Sequence, residues 1–292
     1  MAPHEGQVDH VSGQTTTGHE WDGIRELNTP LPRWWLYMFY LTIAFSVVYW
    51  IAYPSWPLIS GYTPGVLGFT SRGRLAEDLA AGQAARMQRA SGLVDASLDK
   101  IESDPKLLEI ALAQGRAAFG DNCAPCHGSG GQGQPGYPNL AAGRWLWGGT
   151  LQEIYTTIEH GIRAPNDSDT HTSAMPAFGR DGILKPQEIR EAASYVRTLA
   201  GLEPEKGVDV AAGKKVFMDN CAACHGENGK GNIEMGSANL TTKIWQYGSD
   251  LPDLIYTITN ARNSTMPAWH SRLDPITIKS LAVYVHSLGG GK

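Results

Sequence analysis

Two seven-residue stretches hold the side chains most able to do chemistry: Asn122-Cys123-Ala124-Pro125-Cys126-His127-Gly128 and Asn220-Cys221-Ala222-Ala223-Cys224-His225-Gly226. Each reads C-x-x-C-H, the attachment pattern of a c-type haem. Two cysteines three positions apart can reach the vinyl groups along one porphyrin edge and form thioethers. The histidine that follows then falls beneath the iron as its proximal ligand. All four cysteines of the chain, Cys123, Cys126, Cys221 and Cys224, are used in this way. A structural zinc site also uses C-x-x-C pairs, but its pairs usually lie closer in sequence, and it leaves the histidine after each second cysteine unexplained. A redox dithiol sits in a strand-then-helix setting, and no such pattern surrounds either copy. The motifs predict two covalently attached haem c groups.

The other face of each iron needs its own ligand. Met175-Pro176 and Met266-Pro267 stand ahead of the last helical pattern in each half, and a thioether sulfur is a soft ligand suited to haem iron. The usual place of a methionine is a core. Matched positions, and a proline after each that stiffens a loop, favour ligation instead. The rivals His160, His171, His270 and His286 have no histidine counterparts in the other half and read as surface or packing residues. The expected axial set is His127, Met175, His225 and Met266. Spacing leaves the pairing open: each methionine can serve the haem of its own half, or Met266 can cap the first haem and Met175 the second. Each proximal histidine also needs an acceptor for its second ring nitrogen, often a backbone carbonyl. Pro138, ahead of Asn139-Leu140, is expected to supply one, and Ala238 at the matching position to give looser support.

These side chains are set on a repeat. The motifs lie 98 residues apart and the similarity extends well beyond them. Gly115-x-x-x-Phe119 matches Gly213-x-x-x-Phe217, Asn139-Leu140 matches Asn239-Leu240, Trp145 matches Trp245 and Gly148 matches Gly248. Ile154-Tyr155-Thr156 is paired with Ile255-Tyr256-Thr257, Met175-Pro176-Ala177-Phe178 with Met266-Pro267-Ala268-Trp269, and Tyr195-Val196 with Tyr284-Val285. The first half carries an insertion, Asn166–Ser173. Such self-similarity implies two copies of one domain of about 90 residues, whose thin core a covalently held haem would fill. Apolar spacing predicts helices at Leu107–Asn122, Leu151–His160 and Pro186–Leu199, then at Val210–Asn220, Leu251–Asn260 and Pro275–Leu288. No strand pattern of useful length appears, and the fold class is all-α.

Ahead of the repeat, Trp34–Tyr53 is 20 residues without a charge, about 30 Å of helix and enough to cross a bilayer. Trp34, Trp35 and Tyr37 at one end, and Tyr49, Trp50, Tyr53 and Trp56 at the other, form interfacial belts. A basic start and a small-residue cleavage site are missing, so the segment reads as a retained anchor and not a signal peptide. The expected organisation is a polar tail at 1–33, whose His4, His10 and His19 read as solvated, an anchor at 34–57 and a linker and helical tether at 58–106. Haem domains follow at 107–201 and 202–292. Bacterial c-type haem is attached on the oxidising side of the inner membrane, so the haem domains are expected in the periplasm and the tail in the cytoplasm. The net charge of −5 includes no basic patch suited to nucleic acid. Residues 107–201 carry 7 Lys/Arg against 9 Asp/Glu, and residues 202–292 carry 9 of each. Haem propionates would make both more acidic and lean towards a partner with a basic face.

With anchor, tether and two haem motifs in this order, the chain resembles the dihaem subunit III of cbb3-type cytochrome c oxidases from about residue 20 to 288. The most specific match is the lead-in to the anchor, Trp21-Asp22-Gly23-Ile24 through Glu26-Leu27-Asn28-Thr29-Pro30-Leu31-Pro32-Arg33-Trp34-Trp35. The resemblance implies two class I-like cytochrome c domains that accept electrons from a soluble or tethered donor cytochrome c. They would pass them to a catalytic haem–copper subunit that reduces oxygen and pumps protons, beside a second membrane-anchored cytochrome subunit. It implies no bond chemistry by the chain itself. Two other classes fit the motifs less well: the dihaem subunit of another periplasm-facing dehydrogenase complex, and a dihaem peroxidase, which needs an open iron.

Overall fold

The computed structural model describes residues 6–289, so His4 lies outside the described residues. Two compact units are formed, residues 1–84 and 85–292.

The first unit holds two short antiparallel hairpins and the anchor. β1 (Thr16–Trp21) pairs with β2 (Ile24–Leu27) around Asp22-Gly23, both at positive φ. The periodicity of residues 1–33 gave no sign of this hairpin, whose side chains are mostly exposed and so need no apolar alternation. α1 (Arg33–Ala52) covers the uncharged run Trp34–Tyr53 to within one residue at each end and stops five residues short of the 34–57 segment. None of its side chains is buried, and it is long and apolar enough to cross a membrane. Pro54 and Pro57 follow, and β3 (Pro57–Leu58) pairs with β4 (Gly61–Tyr62) in what the sequence marks only as irregular chain. α2 (Ser71–Arg89) begins the tether.

The second unit is wholly helical apart from isolated bridges. The tether ends in α3 (Ser91–Val94) and α4 (Leu98–Ser103), whose Leu93, Leu98 and Ile101 are buried in one core with residues of the three long helices at 105–122, 151–160 and 275–287. Lys279 fixes this segment by donating to the carbonyls of Val94 and Ala96, each at 2.8 Å. α5 (Pro105–Asn122) starts at an Asp104 cap that accepts from Lys106 and Leu107, with proline at its first position, where no donor is lost. α6 (Ala124–His127) carries the first haem motif. α7 (Leu151–His160) opens with a Thr150/Glu153 capping box, and α8 (Pro186–Leu199) closes the first half. The second half repeats this series as α9 (Val210–Asn220), α10 (Ala222–His225), α11 (Leu251–Asn260) and α12 (Pro275–Ser287).

Buried positions set the register of the repeat. Ile154 and Ile158 on α7 correspond to Leu254 and Ile258 on α11, behind caps at Thr150 and Asp250. The offset is 100, as for Trp145 and Trp245. Pairing Ile154-Tyr155-Thr156 with Ile255-Tyr256-Thr257 is therefore one residue out, because the inward face and not the run of identities is what packing conserves.

The packing crosses the halves. α5 and α7 share one core with α12, through Phe119, Leu151, Ile154, Leu281 and Val285. The other core joins α9 and α11 to α8, through Ile189, Val196, Phe217, Leu254 and Ile258. Phe119 packs tilted against Tyr284 and Phe217 against Tyr195, with ring centroids 5.3 Å apart in both. The helices can approach because of the repeated glycines. A Cβ on Gly115 would lie 2.2 Å from the Ser280 carbonyl, and one on Gly213 2.1 Å from that of Glu191. Each copy in sequence thus lends its closing helix to the core of the other.

Candidate haem-binding sites

Helices α5 and α9 end one residue before each haem motif, and the first cysteine caps them by bonding to the carbonyl of Phe119 or Phe217. One tight turn then presents the second cysteine and the histidine. Gly128 and Gly226, both at positive φ, end that turn. His127 Nδ1 lies 3.2 Å from the Pro138 carbonyl and His225 Nδ1 lies 2.8 Å from that of Ala238. The expectation of looser support in the second half is overturned. The acceptor is backbone, so the residue type matters little, and Ser237 ties this turn down by donating to the Cys224 carbonyl. Gln134 does the same for Pro125 and Cys126 in the first half.

Burial holds both imidazoles below their usual pKa range, against the opposing effect of the carbonyl bond. The shift favours the neutral ring with Nδ1 engaged, the form in which Nε2 can ligate a metal. Burial, and secondarily the neighbouring thiol, pushes Cys123 and Cys221 up to about 11. Among the described residues, neither motif gathers three metal-ligating atoms within 4.8 Å of one another, which argues against a zinc cluster and for a ligand that spans the cysteines and histidine from outside.

The methionines pack across the halves as the closing helices do. Met266 packs against the same core as Cys123 and Leu140, and Met175 against the same core as Cys221, Leu240 and Trp245. Met266 forms a two-way backbone bridge with Ile162, at 3.0 and 2.9 Å, and Met175 is clasped at its N–H and carbonyl by the Asn263 side chain, both at 3.0 Å. Arg163 donates to the carbonyls of Ser264 and Ser173, so one guanidinium spans both methionine loops. Neither contact was legible from spacing.

The donor set suits haem: paired thiols, an imidazole with one nitrogen spare, and a thioether packed on the same core. A buried donor also waits for an acceptor, since Trp245 Nε1 has no hydrogen-bond partner among the described residues, and a porphyrin carboxylate can accept from it. His160, His171 and His270 gather around the insertion, and His286 pairs with Glu102 at 3.0 Å.

The chain matches three family models: "N-terminal domain of cytochrome oxidase-cbb3, FixP" over residues 13–60, "Cytochrome c" over 112–200, and "Cytochrome C oxidase, cbb3-type, subunit III" over 208–285. It is 58% identical to the cbb3-type cytochrome c oxidase subunit FixP of Bradyrhizobium diazoefficiens, across the full length of both chains. It is 53% identical to the FixP subunit of Azorhizobium caulinodans (99% of this chain, 98% of the relative). The CcoP subunit of Azospirillum brasilense is 51% identical, over 98% of this chain and 99% of the relative. The two cytochrome c domains imply two covalently bound haem c groups, and α1 fits a protein of the inner membrane. The chain belongs to the dihaem electron-transfer subunit family of cbb3-type cytochrome c oxidases.

Proposed function

We propose that this chain receives single electrons from a donor cytochrome c and delivers them to the catalytic haem–copper subunit, with its haem domains in the periplasm and residues 1–33 in the cytoplasm. Haem c supplies a one-electron Fe(III)/Fe(II) couple. The protein's contribution is to hold it closed to substrate and at a raised potential, which a histidine and methionine pair does. Cys123 and Cys126 hold the first haem and Cys221 and Cys224 the second. His127 with Met266 would hold the first iron, and His225 with Met175 the second.

The observation that carries the pairing is the shared core of Met266 with Cys123 and of Met175 with Cys221. Coupling the two centres through one exchanged fold keeps their separation fixed while electrons pass. The test uses chains carrying one haem, made by Cys221→Ala/Cys224→Ala. In that background Met266→Ala should open the remaining iron to carbon monoxide, while Met175→Ala should leave it low-spin. The reverse result removes the exchange. Carbon monoxide binding by the unmodified chain removes the closed-relay reading altogether.

A further inference from the structure

Helices α7 and α11 both stop at a residue of positive φ, Gly161 at 69° and Ala261 at 57°. Arg163 and Asn263 therefore stand at the same place in each half, two residues further on. Each side chain reaches into the other half. Asn263 takes the N–H and the carbonyl of Met175, both at 3.0 Å. Arg163 donates to the Ser264 carbonyl, two residues before Met266, through Nε at 2.8 Å and Nη2 at 2.6 Å. The arginine also reaches back. Its Nη1 donates to the Ser173 carbonyl at 2.5 Å, two residues before Met175.

The backbone around Arg163 holds that side chain still. Ile162 forms the two-way bridge to Met266, and the Arg163 N–H donates to the His171 carbonyl at 2.7 Å, near the end of the insertion. Gly161 permits the close pass of the second-half loop, since a Cβ there would lie 2.4 Å from the Met266 carbonyl. Arg163 itself sits at φ 51°, a left-handed conformation that a residue with a long side chain keeps only where its surroundings enforce it. Among the described residues no carboxylate pairs with it, and its side-chain bonds go to main-chain oxygens. An arginine that balances charge sits against a carboxylate. One whose rigid fork grips carbonyls fixes where two stretches of backbone lie.

We propose that Arg163 is a positioning residue for the redox step at both centres. Its fork seats the Met175 and Met266 loops as a unit, so that the two irons keep their sulfur ligands, and the raised potentials those ligands give, together. This rests on the reading of both methionines as axial ligands, and it holds whichever haem each one caps.

The test uses the full haem-loaded chain in detergent, with a redox titration followed by visible absorption. The unmodified chain should show the weak red band of methionine-bound ferric haem; if it does not, methionine ligation fails and takes the proposal with it. With the band present, Arg163→Gln should lower both midpoint potentials and let carbon monoxide reach both ferrous centres. Asn263→Ala removes the grip on Met175 but leaves Met266 held by Ile162 and Arg163, and should lower one potential only. Arg163→Lys keeps the charge without the fork and should still lower both. It carries the same prediction if the glutamine variant fails to load haem. Potentials that stay in place in Arg163→Gln, or a fall at a single centre, overturn the proposal while leaving methionine ligation standing. Full recovery in Arg163→Lys also overturns it, because charge and not seating would then be the cause.

Discussion

At the scale of single residues, what the chain fixes most firmly is the chemistry of two histidines. The C-x-x-C-H motif is legible because thioether attachment and ligation each demand one residue type at one spacing. The carbonyl behind each ring is legible only as a position. Reading Pro138 as a stiff support and Ala238 as a weaker one judges side chains, whereas the bond uses backbone oxygen and is shorter at Ala238, 2.8 Å against 3.2 Å. Pro138→Ala should therefore leave the haem spectrum unchanged and cost no more than about 1 kcal/mol, the unfolded-state entropy that proline removes. Visible spectra and thermal melting of the full chain check this. A lost low-spin band would show that the proline ring itself holds the carbonyl in place.

At the scale of elements, helices were the most legible part. Five of the six predicted haem-domain helices begin where the apolar spacing puts them, and the sixth, α5, begins two residues earlier, behind its Asp104 cap. The hairpins of the first unit were invisible because their exposed strands carry no alternation. Gly-x-x-x-Phe was visible as a repeated pattern, but its meaning lies in a partner helix far along the chain. Gly115 sits where α5 crosses α12, with no room for a side chain, while Gly120 on the same helix has nothing within 4 Å of a built Cβ. Gly115→Ala should destabilise the fold by about 1–3 kcal/mol through overpacking. Gly120→Ala should stabilise it by roughly 0.5–1 kcal/mol through helix propensity. Denaturant unfolding of the holoprotein measures both. Equal effects at the two positions would show that propensity and not crossing distance governs this helix.

At the scale of the whole molecule, the repeat in sequence and the units of packing divide the chain differently. Self-similarity marks two copies, yet residues 85–292 form a single compact unit in which each copy closes the other. The sequence is silent on this because α8 and α12 are chemically interchangeable: Tyr195 and Tyr284 would meet a phenylalanine in either arrangement. Only the traced contacts decide between them. The exchange has a mechanical consequence. In α12, Ile276, Ile278, Leu281, Val283 and Val285 are all buried, and each contributes about 1.5–3 kcal/mol relative to exposure. α8 makes the matching contribution through Ile189 and Val196. Cutting the connection between the halves should therefore not part them. Gly207 is at positive φ with nothing within 4 Å of a built Cβ, so a protease recognition sequence inserted after it should be accepted and cleaved. The two fragments of the haem-loaded chain should then co-elute on size exclusion in native buffer, with both centres low-spin, and separate only in denaturant. Domains closed within themselves would come apart on cleavage, each still low-spin, because nothing but the short connection and a surface contact would join them. Fragments that part in native buffer with their spectra intact would thus overturn the exchanged fold and, with it, the pairing of His127 with Met266.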